Sequence, residues 1–529
     1  MNYKPGTVNR NLQHIIVFSI ITISVFFYSF KIKFHEPGVI DIVRIESGLV
    51  SGVKNNGVIS FKGIPFASPP VGDMRWKAPA APAAWNGVRK CDAFGPSPLQ
   101  PKPVPFLMLS KEFLIPEQPM SEDCLYLNIW TAARSAKEKR PVFVWIYGGG
   151  FTTGGAAVPA YDGEALAKKG IIFVSFNYRL GVFGFYAHPE LSGESPHHAS
   201  GNYGLLDQIA VLQWIRKNIA AFGGDPDNVT IAGQSAGSIS VNCLMASPLA
   251  KGLFHRAIAE SGTMVLPNPF IKMHTLASAE QEGIKWAASK NKSSITDLRK
   301  MSAENLSRNG MNMGMYGPIA DGYVLPAPIP DIYAQAKQNH TPFLTGWNAD
   351  EGIVVIYKTR ETFLKEAQQF GKDSATFLHY YPASTDQESA ASQMALSRDK
   401  MMGLAGYKWA EIESSTSSFG TYMYYFTHKP PTAGNNPKYG AYHSAEVGYA
   451  LNNLKIINRP WEPVDDSLET IISSYWINFA KTGDPNGKGL PLWPRYDNRK
   501  NMVMIFSEQP RAEKLPNKEA LDFLYSKIR

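Results

Sequence analysis

Three stretches of the chain are apolar without alternation: Pro141 to Tyr147 (PVFVWIY), Ile171 to Tyr178 (IIFVSFNY) and Asn228 to Gly233 (NVTIAG). A strand with one wet face alternates apolar and polar residues, so continuous runs predict strands buried on both faces, as in a parallel sheet. Between the second and third run, apolar residues at 205, 209, 212, 215, 219 and 222 step by three or four, which predicts a helix from Leu205 that Gly223-Gly224 stops. Pro342 to Trp347 (PFLTGW) and Thr421 to Phe426 (TYMYYF) predict two later strands. Strands separated by helices need crossover connections. The expected class is therefore α/β: a large, mainly parallel central sheet flanked by helices on both faces, with ligands at the C-terminal ends of its strands.

Polar or Pro- and Gly-rich stretches at 77–85, 97–105, 383–392 and 430–440 predict connectors, and none has the character of a long interdomain linker. At the start of the chain, Lys4 and Arg10 precede an apolar run from Ile15 to Phe30, and Lys31 and Lys33 follow it. This pattern predicts a secretory signal or a signal anchor within residues 1–35, and both imply export to an extracytoplasmic compartment. As a helix the run spans about 24 Å against a bilayer core of about 30 Å, a gap that the snorkelling lysines narrow. No small-x-small cleavage site follows it, which favours retention as a membrane attachment.

With 529 residues, 44% of them hydrophobic and 19% charged, the chain has the apolar material for a large core, which excludes a disordered or coiled-coil protein. The formal charge of +8 does not point to nucleic acid, because the basic residues are scattered and form no stripe interleaved with aromatics. There are three cysteines, Cys91, Cys124 and Cys243, and the first two bracket a Pro-rich loop. Spacing alone leaves two readings of that pair, a disulfide suited to export or two reduced core thiols. Cys243 reads as a buried free thiol. The histidines show no HExxH spacing, and His197-His198 reads as part of a solvated loop, so no metal and no organic cofactor is implied.

The chemistry concentrates at Gly233-Gln234-Ser235-Ala236-Gly237, a GxSxG between the strand NVTIAG and an apolar helical stretch from Ala236 to Met245. A sharp strand-to-helix turn pushes a serine hydroxyl out of the sheet, and flanking glycines remove Cβ atoms that would strike neighbouring backbone. Directly after PVFVWIY comes Gly148-Gly149-Gly150, so the N–H groups of Gly149, Gly150 and Ala236 are candidates for an oxyanion hole. In hydrolases with this elbow the acid and then the base follow the nucleophile, each after a later strand. After PFLTGW stand Asp350 and Glu351; after TYMYYF stand His428 and His443. Spacing alone leaves both pairs open.

The chain resembles the type-B carboxylesterase (cholinesterase-like) family of α/β-hydrolases over nearly everything after residue 40. The matching stretches are GIPFASPPVGDMRW (63–76), SEDCLYLNIW (121–130), VWIYGGGF (144–151), NYRLGVFGF (177–185), GNYGLLDQ (201–208), FGGDPDNVTIAGQSAG (222–237), DEG (350–352) and GAYHSAE (440–446). The resemblance implies one α/β-hydrolase domain over 36–529. It implies Ser235 as nucleophile, Glu351 as acid and His443 as base, with Gly149, Gly150 and Ala236 as oxyanion donors and a disulfide between Cys91 and Cys124. The expected activity is hydrolysis of small-molecule carboxylic esters.

Two departures narrow it. Gln234 stands before the nucleophile where most members have Glu, and no Trp lies between Cys91 and Cys124, where cholinesterases carry an aromatic platform for quaternary ammonium. Cationic substrates therefore lose support. Carbamates, amides, thioesters and lipids remain open as substrates, because pocket shape rests on loops such as 97–120 and 265–320. A noncatalytic adhesion protein on the same fold is the reading from another class, and such members lose the nucleophile that is present here.

Overall fold

The uninterrupted apolar runs become buried strands: Arg140–Ile146 is buried from its third residue on, and Ile172–Phe176 throughout. The computed structural model describes residues 1–2, 41–105, 110–117, 119–267, 273–307, 316–352, 355, 357–432 and 439–528. The expected export segment lies outside them. Among the described residues no helix is long and apolar enough to cross a membrane. Residues Ile40–Arg529 form one compact unit.

In chain order the strands are β1 (Ile42–Ile45), β2 (Gly48–Ser51), β3 (Val53–Asn55), β4 (Val58–Pro65), β5 (Val88–Lys90), β6 (Ser97–Pro98), β7 (Met120–Ser121) and β8 (Tyr126–Thr131). There follow β9 (Arg140–Ile146), β10 (Ile172–Phe176), β11 (Gly224–Gln234), β12 (Arg256–Glu260), β13 (Phe343–Asn348), β14 (Thr421–Phe426), β15 (Met502–Phe506) and β16 (Arg511–Lys514). An eleven-stranded sheet runs β16-β15-β14-β13-β12-β11-β9-β10-β8-β4-β3. Its centre, from β15 to β10, is parallel, and the strands outside that centre pair antiparallel at both edges. The expectation of a mainly parallel sheet holds where the continuous runs predicted it.

Successive side chains of a strand point to opposite faces, so a doubly buried strand feeds two cores. Val142, Val144 and Ile146 of β9 enter one apolar cluster with Leu205, Ile209, Leu212 and Ile215 of the helix Tyr203–Asn218. Phe143 and Trp145 enter the other with Leu468, Ile472, Trp476 and Phe479 of the helix Pro463–Thr482. The first helix is the one predicted from Leu205. It ends through a 3-10 turn at Gly223, whose φ of +83° suits a residue without Cβ.

Two motifs tie distant segments through buried charge. The Arg179 guanidinium grips both oxygens of Asp207 at 2.7 and 2.8 Å, and the Asp207 carboxylate also accepts the Arg179 N–H at 3.0 Å. Arg75 makes a similar two-pronged pair with Glu122 at 2.6 Å and donates to the carbonyls of Leu298, Arg299 and Met301.

Two expectations are corrected. The polar stretch 383–392 is not a connector: the helix Asp386–Arg398 begins within it. Thr385 Oγ1 accepts the Glu388 N–H at 3.1 Å, and Glu388 reaches back to the Ser384 N–H at 2.6 Å. Thr385 caps the start of the helix while Glu388 holds the residue just before the cap, and this T-x-x-E spacing was present in a segment judged by polarity alone. The second correction concerns Cys91 and Cys124, which are separate thiols and form no disulfide. Both lie in the same apolar core, where burial pushes the Cys91 thiol up to about 11 and that of Cys124 well above its ordinary value. Each is packed as a small hydrophobe in its neutral form, and the thiolate that would start cross-linking is suppressed. Cys243 is buried and free, as expected.

Replacing Asp207 by Ala leaves the Arg179 charge buried without its partner, at a cost of about 3–5 kcal/mol. Equilibrium urea unfolding of D207A should show that loss, and R179M/D207A should recover much of it. A loss below about 1 kcal/mol in D207A, the range of surface ion pairs, would contradict the assignment.

Candidate active site

Parallel register brings the C-terminal ends of five strands to one edge of the sheet. Gly233 of β11 lies opposite Ile146 of β9, Gln234 opposite Glu260 of β12, Glu260 opposite Gly346 of β13, and Asn348 of β13 opposite Phe426 of β14. The residues that follow these ends are Gly148 to Gly150, Ser235, Ser261, Glu351 and, beyond a longer loop, His443.

Ser235 joins β11 to the helix Ala236–Ala246 with φ +59° and ψ −123°, a conformation that a residue with a Cβ adopts only when its surroundings enforce it. The enforcement is visible. The Ser235 N–H donates to the Glu260 carbonyl at 2.9 Å, and the Ser235 carbonyl accepts the Ile239 N–H at 2.9 Å. A Cβ on Gly237 would stand 1.9 Å from the Ile146 carbonyl oxygen, so the turn packs backbone on backbone against the end of β9. The half-buried Ser235 thus projects from the sheet edge.

Gly149 has φ +113°, and a Cβ there would lie 2.2 Å from the Thr153 carbonyl oxygen. The Gly149 carbonyl accepts from the Thr152 and Thr153 N–H groups, which folds the glycine loop back on itself. Among the described residues, no backbone carbonyl pairs with the N–H of Gly149 or Gly150. The Ala236 N–H opens a helix and has no acceptor one turn earlier. The three predicted oxyanion donors are therefore uncommitted.

Glu351 is fully buried. Its Oε1 accepts from the hydroxyl of Ser261 and from the Asn348 N–H at 3.1 Å, and lies 3.6 Å from His443 Nδ1. At that separation carboxylate and imidazole face each other slightly beyond hydrogen-bond length. No hydrogen bond joins Ser235 to His443 in this structure. The imidazole instead meets Gln234, whose Nε2 lies 3.1 Å from His443 Nε2 and 3.4 Å from Nδ1. An atom that close to both ring nitrogens would collide with ring carbons if it lay in the ring plane. The Gln234 amide therefore covers a face of the imidazole and leaves its edge to other partners.

The two competitors left open by spacing have other work. Asp350 holds the histidine loop, its Oδ2 accepting the Ala441 N–H at 2.7 Å while its own N–H donates to the Ala441 carbonyl at 3.0 Å. His428 is buried with Nε2 2.8 Å from Asp465 Oδ1, at the capped start of the helix Pro463–Thr482. Asp465 carries its carboxyl below the ordinary range, because its hydrogen bonds with His428 and Tyr449 outweigh burial.

Several residues that matter here were not predicted. Ser261 and Asn348 orient Glu351, and Asn348 also donates to the Tyr442 carbonyl at 2.8 Å and to the Glu446 carboxyl. Their positions one residue after β12 and at the last residue of β13 were the available signal. The loops 97–120 and 265–320, expected to shape the pocket, are described only in part. A cavity of about 10 Å³ lined by Trp76, Leu99, Cys124, Leu180 and Phe183, among others, has room for about one water and touches none of the candidate catalytic or oxyanion residues. Among the described residues no group of His, Cys, Asp and Glu is arranged to hold a metal ion.

The profile of the carboxylesterase family matches residues 40–524. The fumonisin B1 esterase of Sphingopyxis macrogoltabida is 37% identical over 495 residues, covering 88% of this chain and 86% of that protein. The para-nitrobenzyl esterase of Bacillus subtilis (strain 168) is 34% identical over 507 residues, covering 92% of this chain and 98% of its own. Among solved structures, a PNB esterase superposes with a TM-score of 0.77 at 32% identity, over 91% of this chain and 98% of that one. A carboxylesterase of Geobacillus stearothermophilus also reaches 0.77, at 30% identity and covering 91% and 99%.

Gly237→Ala tests the packing beneath Ser235. The added methyl meets the Ile146 carbonyl and must displace the turn, so the variant should lose at least about tenfold in labelling of its serine by a fluorophosphonate, or about 2 kcal/mol of stability by denaturant unfolding. A variant with wild-type labelling and wild-type stability would refute the contact.

Proposed function

The chain belongs to the carboxylesterase family and is a hydrolase of carboxylic esters with the α/β-hydrolase fold, and on that premise we propose that it works through an acyl-enzyme on Ser235. The observation that carries this reading is the strained turn at Ser235, held at a sheet edge beside uncommitted backbone donors, with a His and a buried Glu on the loops after two neighbouring strands.

A serine hydroxyl is a weak nucleophile until a base takes its proton. His443 Nε2 is that base: with Nδ1–H turned toward Glu351, the other nitrogen presents its lone pair. Ser235 Oγ attacks the ester carbonyl as its proton passes to Nε2, and the negative oxygen of the tetrahedral intermediate is stabilised by the N–H groups of Gly149, Gly150 and Ala236. The imidazolium then protonates the leaving alcohol, and the C–O bond breaks. Water, deprotonated by the same nitrogen, attacks the acyl-enzyme and releases the acid. Glu351 stabilises the imidazolium, and its hydrogen bonds from Ser261 and Asn348 hold one oxygen toward the ring.

Small-molecule esters are the substrate class. The relatives' names make p-nitrobenzyl esters and fumonisin B1 natural trials for this chain. The neutral Gln234 beside the nucleophile supports uncharged or anionic esters over cationic ones. For residues 1–35 the reading is export, supported by the apolar run between basic flanks, and fractionation of expressing cells should find the enzyme outside the cytoplasm.

The decisive test is a p-nitrophenyl ester chain-length series assayed with wild type and Ser235→Ala. The variant should lose at least about 10⁴-fold in kcat/KM with unchanged circular dichroism, and a fluorophosphonate should label only the wild type. Retained turnover in the folded variant would sink the assignment.

A further inference from the structure

Behind His443 three glutamates are packed where water does not reach. Glu260 and Glu351 are fully buried, and Glu446 is 1% exposed. Among the described residues none of the three has a lysine or arginine within ion-pair distance; the one cationic partner is His443, opposite Glu351. Each carboxyl uses one oxygen and leaves the other bare. Glu351 Oε1 accepts from Ser261 and Asn348, Glu446 from the Asn348 side chain, and Glu260 Oε1 from Trp476 Nε1 at 2.8 Å. Glu351 Oε2, Glu446 Oε1 and Glu260 Oε2 are buried, with no hydrogen-bond partner among the described residues.

Three anions cannot share a dry space with one intermittently charged imidazole, because each uncompensated charge loses its hydration and repels the others. A proton resolves both problems, removing a charge and turning a bare acceptor into a donor. We propose that Glu446 and Glu260 are held as neutral carboxylic acids, so that Glu351 is the single anion facing His443, and that Glu446 is thereby a positioning residue for the imidazole's charge. The proposal rests on the triad reading above.

The groups that face Glu446 come from each neighbouring element: Asn348 and Glu351 from β13 and its following loop, Glu260 from β12, Tyr424 from β14, Tyr161 from the segment after the glycine loop, and Tyr442 and His443 from its own loop. The tyrosines are themselves held protonated by burial and by these carboxyls. Burial, then the charge of Glu351, moves the Glu446 carboxyl up to about 7, and burial, then Glu446, moves Glu260 well above the ordinary carboxylate range. Glu446 therefore stands at the edge of ionisation under neutral conditions. Its ionisation adds a second anion behind Glu351, which favours the imidazolium and withholds the base that attack on the ester needs.

The sign for stability follows. A carboxyl whose folded value lies above its unfolded one stabilises the fold fully at low pH, and that contribution is lost as pH rises through the folded value. Glu446→Gln replaces the neutral acid with a neutral isostere that cannot ionise.

Three readouts on the whole protein test the proposal. In the infrared spectrum at pH 6, the band of a protonated carboxyl should be present in wild type and weaker in E446Q. Between pH 6 and 9, the Tm of wild type should fall more steeply than that of E446Q. The acid limb of kcat/KM should move to lower pH in E446Q, with turnover at pH 6 within about threefold of wild type. Identical infrared bands and parallel Tm curves would overturn the proposal. So would a hundredfold loss of kcat/KM in folded E446Q at pH 6, which would mean that the charge of Glu446 is required. The infrared and Tm readouts need no turnover, so failure of the Ser235 reading is distinguished from failure of this one.

Discussion

The structure turns on one contact of bare backbone. The turn after β11 presses on the end of β9 so closely that no Cβ fits between Gly237 and the Ile146 carbonyl. That approach sets the helix Ala236–Ala246 directly over the sheet edge, and it forces Ser235 into positive φ with its side chain lifted away. Because Ile146 leads within two residues into the glycine loop, the same contact places uncommitted N–H groups beside the serine. Ser235 and those N–H groups are thus two ends of one packing constraint. The strain at Ser235 is offset by the sheet and the two apolar layers around it.

The parallel register extends that geometry to the rest of the site. Once β11, β12, β13 and β14 are aligned, Ser235, Ser261 and Glu351 leave the sheet at the same edge, and the loop after β14 returns His443 to it. Short local bonds then fix each side chain: Asp350 clamps the backbone beside His443, Asn348 ties Glu351 to Tyr442 and Glu446, and Gln234 covers the imidazole face. Electrostatically, the buried Glu351 lies among carboxyls that have no lysine or arginine within ion-pair distance among the described residues. Protonating the neighbours, rather than importing a lysine or arginine, leaves His443 as the group that senses the Glu351 charge.

Much of this was legible along the chain. Continuous apolar runs identified the central strands, because burial on both faces removes the need for alternation, and the helix from Leu205 followed from its period. Ser235 was readable because its glycines are a local requirement of the turn. The choice between Asp350 and Glu351, and between His428 and His443, was not decided by spacing, since each pair lies on the correct loop; the resemblance favoured Glu351 and His443, which the fold brings within 3.6 Å of each other. The polar stretch before Arg398 was misjudged because polarity describes solvent exposure, whereas its helix starts from the cap between Thr385 and Glu388. The expected disulfide failed for a related reason. Two cysteines brought into one core by their motifs have as much reason to pack as thiols as to join.

What the sequence determined by itself was whatever depends on near neighbours: strand and helix periods, the glycine-flanked turn, and the family. Tertiary structure alone decided the identity of the acid's supports, the stacking of Gln234 on His443, and the gathering of Glu260, Glu351 and Glu446 into one dry space. These residues come from separate strands and loops, and their chemistry arises from mutual burial. The cost of a charge depends on what surrounds it in space, and the order of residues along the chain carries no record of that until the sheet aligns its strand ends.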